Sequence, residues 1–217
     1  MPPHFGNSKA IHIAPIDGLR ALAVIAVIFY HLGFNWIPGG FLGVDVFFVI
    51  SGYVITRLLL DSIHSANGLD VRKFYMARIR RLLPGLLLLS IITSVAIALF
   101  APDAIHRFIQ DLPFVLTGTN NWHLVSIHQD YFQAVGRPPL LQHTWSLAVE
   151  SQFYLIWPLI LYFVWRRFGQ RSVRRAAVII ALTSGTALLL FSISADHSGA
   201  GRISHVYFGT DTHSIGL

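Results

Sequence analysis

Cysteine is absent from the 217 residues, which excludes disulfides, thiolate metal ligands and a thiol nucleophile. Charge is scarce as well: 12% of the residues are Asp, Glu, Lys or Arg, against about a quarter in an ordinary soluble domain. Acids are the scarcer sign, ten against sixteen bases, which leaves a formal charge of +6. The alternating strands of a membrane barrel are missing, as are internal repeats, low-complexity tracts and a soluble second domain. A cleavable leader is not expected, because MPPHFGNSKA has no strong basic region and the next run keeps Asp17 and Arg20 with no cleavage site after it. The start reads as a short tail and a retained helix.

What is present in quantity is apolar length. Hydrophobic residues make up 54% of the chain, in five runs at about 15–33, 41–60, 82–100, 145–165 and 176–194. Each is close to the roughly 20 residues that a helix needs to cross a bilayer. Helices satisfy their own backbone groups in lipid, so the expectation is all-α: a polytopic transmembrane helical bundle, one domain over 1–217, with about five spans and the approach to another. That approach is YFGTDTHSIGL after residue 206, and the chain is expected to be an N-terminal part of a larger bundle.

Orientation follows from where the cations are. Arg72, Lys73, Arg78, Arg80 and Arg81 lie in the 61–81 connection, and Arg166, Arg167, Arg171, Arg174 and Arg175 in the 166–175 connection, ten of the sixteen bases. The opposite connections hold only Arg107, Arg137 and Arg202. The positive-inside rule places the N-terminus and both basic connections in the cytoplasm, as a multi-pass protein of the cell membrane. The charge thus mostly reports topology, and no nucleic-acid partner is expected. In the long 101–143 connection, Ala104 to Leu116 is half-apolar and too short to span, which reads as an interfacial or re-entrant helix. NNWHLVSIHQDYFQ then supplies aromatic and polar groups at the outer surface, and Pro138 and Pro139 break the chain before the fourth span.

Within this frame a few ionisable groups stand in or beside spans, where they are costly and mark function by default. Arg20 and His31 are eleven residues apart in IDGLRALAVIAVIFYH, about three helical turns and roughly 16 Å, on one face. A neutral imidazole at His31 has the range for a general base or an acyl acceptor, and Asp45, early in the next helix, is expected to orient its ring as the acid does in a hydrolase triad. The plainer alternative is a histidine that bonds a backbone carbonyl at the interface. Arg78 and Arg81 share a helix face and would, with Arg20, fork onto phosphates, although cations at a cytoplasmic helix end need only topology to explain them. Glu150, in HTWSLAVESQFYLIWP, is a second acid/base or a holder of a sugar hydroxyl, with Trp145 as a stacking surface. Its alternative is a packing ion pair, and that of the aromatics an interfacial belt.

Histidines 106, 123, 128, 143, 197, 205 and 213 fall in outer segments, without a convincing metal spacing, and read as solvated surface residues. Gly39, Gly40, Gly43 and Ser51-Gly52 let helices or substrate approach closely, for which small-residue packing suffices.

These blocks together, IDGLRALAVIAVIFYHL, GGFLGVDVFFVISGYVITRLL, FYMARIRRLLP, PLLQHTWSLAVESQFYLIWPL and YFGTDTH, resemble the acyltransferase 3 family of bacterial membrane acyltransferases, in order over nearly the whole chain. The resemblance implies transfer of an acyl group from acyl-CoA, usually acetyl-CoA, used as a co-substrate from the cytoplasmic side. The implied acceptor is a hydroxyl of a cell-envelope polysaccharide at the outer face, with no tightly bound cofactor or metal. It makes His31 the catalytic residue, Arg20 its motif partner, Arg78 and Arg81 the cytoplasmic RxxR pair, and Glu150 the acid of the WSLAVE block. The chain departs from the family where Ser151 replaces a second acid and His213 an arginine, and family members have about twice as many spans. Two readings compete with it: a polytopic transporter of glycan or lipid precursors, which would move its substrate unmodified, and a packing remnant without catalysis.

Overall fold

The computed structural model describes residues 14–34, 36–37, 39–65, 68–127 and 139–196, with side chains to residue 187 and at 190. Among them every regular element is helical, in keeping with the all-α expectation: α1 (Ala14–His31), α2 (Gly43–His64), α3 (Val71–Phe100), α4 (Ile105–Thr117), α5 (Asn120–Ser126), α6 (Trp145–Phe168) and α7 (Gln170–Asp196). Four helical stretches, 14–31, 40–64, 71–100 and 142–168, are long and apolar enough to cross a membrane. The fifth apolar run falls in the 27-residue α7. YFGTDTH, His213, Arg137 and Pro138 lie outside the described residues. The chain divides into two compact units, residues 1–50 and 51–217.

In the first unit α1 begins with Asp17 in its first turn, an acid that suits the helix dipole, and ends with His31 in its last. Gly33, at φ +76°, stops it. The Gly33 and Phe34 amides return to Tyr30 and Phe29 carbonyls at 3.0 and 3.1 Å, and the Phe29 and Phe34 rings meet edge to face at 5.2 Å, the hydrogen bonds and apolar contact of a Schellman end. The chain then folds back through a short turn, Gly40–Leu42, into α2. That return depends on two missing side chains. A Cβ on Gly40 would stand 2.4 Å from the Ala26 carbonyl oxygen, and one on Gly43 2.4 Å from that of Ala23 and 2.9 Å from Val27 Cγ2. Gly39, the third glycine of the run, meets nothing nearer than Leu42 Cδ1 at 3.7 Å. Gly43→Val is therefore expected to destabilise the protein by about 1–3 kcal/mol through overpacking, seen as a lower melting temperature in detergent, while Gly39→Ala leaves the melt unchanged.

The second unit packs the rest of α2 with α3, α6 and α7. Ile55, Leu59 and Ile63 at i, i+4, i+8, Trp157 and Leu161, and Val173 and Ala177 form its main core with Leu69, Phe74 and Tyr154. These spacings are the helical stripe by which one face is buried and the other left for lipid. Asp70 starts α3 by accepting the Lys73 amide at 2.9 Å, a cap worth about 1 kcal/mol. With that cap α3 begins eleven residues before its apolar run at 82, and Arg78 and Arg81 lie on a helix, as their shared face requires. α4 coincides with the expected interfacial piece, and packs Phe108 and Val115 against Ile97 of α3 and Leu141.

Candidate functional site

In the first unit α1 carries Arg20 and His31 and α2 carries Asp45. The Arg20 guanidinium lies 5.3 Å over the Phe47 ring. His31 is exposed, and its Nδ1 bonds the Val27 carbonyl one turn back at 2.8 Å. With Nδ1–H donating, Nε2 carries the lone pair, the form required of a base or nucleophile. The structure does not bring Asp45 to this ring: among the described residues His31 makes no hydrogen bond or ion pair with it. Helix geometry gives the reason. Gly43 and Phe47, four residues apart, both face α1, and Asp45, at about 100° per residue, starts some 160–200° around α2 from them. Val27 takes the orienting part that the sequence suggested for Asp45.

In the second unit a cavity of about 420 Å³ lies among α3, the end of α4 and α6. Tyr75 to Leu86 line it from α3 and Thr144 to Leu155 from the α6 side. Each stretch is twelve residues, roughly 16 Å of helix from end to end, half the hydrocarbon depth of a bilayer. The two run in opposite directions: the Tyr75 hydroxyl donates to the Leu155 carbonyl at 2.7 Å and joins them at one end. The cavity is thus elongated and mostly apolar. Among the described residues that line it the cation is Arg78, near the Tyr75 end, half-buried with its guanidinium 5.4 Å from the Phe74 ring and 5.9 Å from that of Tyr154. Two aromatic faces fix the direction of a planar guanidinium. Arg81, one turn on, is exposed and does not line the cavity.

Glu150 is buried on α6 beside the lining, 6% exposed. It and Ser51 are hydrogen-bond partners of the Tyr154 hydroxyl, which also feels the charge of Arg78. The FFVISGY, FYMARIRRLLP and WSLAVESQF blocks therefore meet at Tyr154. Glu150, with Tyr154 near it on the same run, and Arg78 could be read from the sequence, but not Ser51 as a member of the cluster, for a serine in an apolar run carries no periodic signal. Ser151, where a second acid was expected, lines the cavity; its hydroxyl donates to the Leu147 carbonyl at 2.7 Å.

Two sequence readings change. Trp145, expected to stack on a sugar, is 3% exposed, so its ring faces are taken by protein and it serves as core. His123, expected to be solvated, is packed away: Nε2 lies 2.9 Å from Asp111 Oδ1 and the ring stacks on Phe114 at 4.0 Å. This pair ties α4 to α5 around Gly118, which at φ +69° turns the chain and whose Cβ would stand 3.3 Å from that of Ser151. Gln152 completes the wall. Its Nε2 donates to the Gly118 carbonyl at 3.0 Å and Asn121 Oδ1 at 2.8 Å, and its Oε1 accepts from Trp122 Nε1 at 3.1 Å. Asn120 Nδ2 donates to the Leu141 carbonyl at 3.1 Å and to Thr144 Oγ1 at 2.9 Å. His123→Ala is expected to cost about 3 kcal/mol by leaving the buried Asp111 carboxylate uncompensated. Adding Asp111→Leu should recover most of that loss in a thermal melt, since the buried charge is then gone.

The acyltransferase 3 family, described as an acyltransferase domain, matches residues 13–209. Among curated relatives, YrhL of Bacillus subtilis (strain 168) is 42% identical over 206 residues, 95% of this chain and 32% of that protein. The O-acetyltransferase OatA of Staphylococcus aureus (strain NCTC 8325) is 40% identical over 202 residues, 93% of this chain and 32% of OatA. The peptidoglycan O-acetyltransferase OatA of Listeria monocytogenes (strain EGD-e) is 36% identical over 208 residues, 95% and 32%. The chain thus spans about a third of the length of the relatives that it matches. No solved structure matches it. By a match over most of its length, the chain belongs to the acyltransferase 3 family.

Proposed function

We propose that this chain carries donor-holding and proton-transfer parts of a membrane O-acetyltransferase, which moves an acetyl group from acetyl-CoA to a hydroxyl of the envelope glycan, peptidoglycan by its relatives' names. The observation that carries the reading is the elongated apolar cavity with Arg78 near one end. A thioester donor pairs a long flexible arm with an anionic head, and a narrow apolar slot ending in a guanidinium suits that division. In this reading the donor enters from the cytoplasmic side, where the arginine-rich connections put the N-terminus as well, and the acceptor is met outside. Arg81, exposed next to Arg78, adds a second cation for the phosphates, and Arg20 holds negative charge in the first unit.

His31 Nε2 takes the proton of the acceptor hydroxyl as the oxygen attacks the thioester carbonyl; the C–S bond breaks and the thiolate receives a proton, giving free CoA and an O-acetyl ester. The alternative order has His31 accept the acetyl group first and pass it on. Glu150 acts through Tyr154, setting the polar wall of the cavity beside Arg78.

The test uses membrane vesicles that hold this chain, or a longer chain that carries it, with labelled acetyl-CoA and peptidoglycan fragments. Acceptor-dependent CoA release with label on the glycan supports the reading. Movement of unmodified glycan without CoA release means a transporter. A trapped acetyl-histidine, lost in His31→Ala, selects the two-step order over direct transfer.

A further inference from the structure

A second concavity lies apart from the cavity of Arg78. His64 ends α2, and Arg171, Arg174 and Arg175 stand in the first turns of α7. With Gln170, Val178 and Ile179 they line a groove of about 660 Å³. Residues 171, 174, 175 and 178 follow the i, i+3, i+4, i+7 pattern of one helix stripe. The stripe changes character along its length. Cations fill its start, then Val178 and Ile179 follow at 51% and 60% exposure, and Leu182 continues it at 66%.

His64 uses Nδ1 on the Leu60 carbonyl, which leaves Nε2 for a ligand in the groove that it lines. Among the described residues none of the three arginines has a hydrogen-bond or ion-pair partner. Topology accounts for arginines at this end of a helix, but not for three of them in one concavity that continues into bare aliphatic surface.

We propose that this groove binds an anionic glycerophospholipid, its phosphate held by Arg171, Arg174 and Arg175 and an acyl chain laid along Val178, Ile179 and Leu182. Guanidinium groups fork onto phosphate oxygens, and basic pockets at the ends of membrane helices suit lipid head groups. A soluble nucleotide phosphate would use the cations and leave the apolar continuation unmatched, which favours the lipid.

The test takes the full chain in neutral detergent, titrated with dioleoylphosphatidylglycerol or dioleoylphosphatidylcholine, with bound lipid counted by native mass spectrometry. Phosphatidylglycerol is expected to be retained where phosphatidylcholine is lost. Each removed cation should weaken it about fivefold, so the triple change R171Q/R174Q/R175Q lowers retention on the order of 100-fold and R174Q alone about fivefold. R72Q, which removes an exposed charge elsewhere, leaves it unchanged. R174Q decides the matter if the triple variant loses its helical circular dichroism. Equal retention of the two lipids, or a preference that survives these changes, overturns the proposal. Coenzyme A as competitor separates the sources of phosphate: displacement of phosphatidylglycerol from the wild type overturns the lipid assignment, and retention supports it.

Discussion

His31→Ala lowers CoA release and glycan acetylation by about 10²–10⁴-fold, the usual worth of a positioned general base, whereas Asp45→Asn lowers them by less than about tenfold. The contrast comes from one hydrogen bond. Where a carboxylate holds the tautomer of a catalytic imidazole, neutralising it costs about 10⁴ in turnover. Here Nδ1 is held by the Val27 carbonyl at 2.8 Å, a partner that no side-chain substitution removes, and among the described residues the ring makes no hydrogen bond or ion pair with Asp45. The measurement is acceptor-dependent release of CoA at saturating donor, for both variants. A loss in Asp45→Asn equal to that in His31→Ala would restore Asp45 as the orienting acid, and full activity in His31→Ala would remove His31 from the chemistry.

What the sequence showed and what it hid divide along a physical line. The long apolar helices were legible because they rest on a sum over many residues, the apolar length of each run. The face shared by Arg20 and His31 was legible because both are on one helix, where spacing alone fixes direction. A short helix at 104–116, separate from the spans, could be read from its length and charge, and it is α4. Contacts made across the chain could not be read. His123 and Asp111 are twelve residues apart around a glycine corner, and nothing in HLVSIHQD says that the first histidine is packed on a phenylalanine. Trp145 reads as an interfacial aromatic by composition and is core by packing. Proximity across a short loop suggests Asp45 for His31, but the close approach of Gly40 and Gly43 to α1 fixes the helix rotation and starts Asp45 on another side of α2.

Arg78 is where substitution should act on the donor rather than on the chemistry. Arg78→Gln is expected to raise the apparent KM for acetyl-CoA about 10–100-fold with little change in kcat, as for the loss of a charge-assisted contact made equally in ground and transition states, worth about 1.5–3 kcal/mol. Arg78→Lys should not rescue it fully. The guanidinium stands against two rings, Phe74 at 5.4 Å and Tyr154 at 5.9 Å; each such contact is worth about 0.5–1 kcal/mol at exposed sites and up to about 2 when desolvated. A lysine would keep the charge but lose the planar fork that those rings aim. The same rings make Tyr154→Phe informative, because it keeps the ring and removes only the hydroxyl shared with Ser51 and Glu150. If Arg78 alone holds the donor, Tyr154→Phe leaves KM near the wild-type value. If the Glu150–Tyr154 pair sets the position of the guanidinium, it raises KM as Arg78→Lys does, and the double variant adds nothing further, as expected of residues that act through one contact.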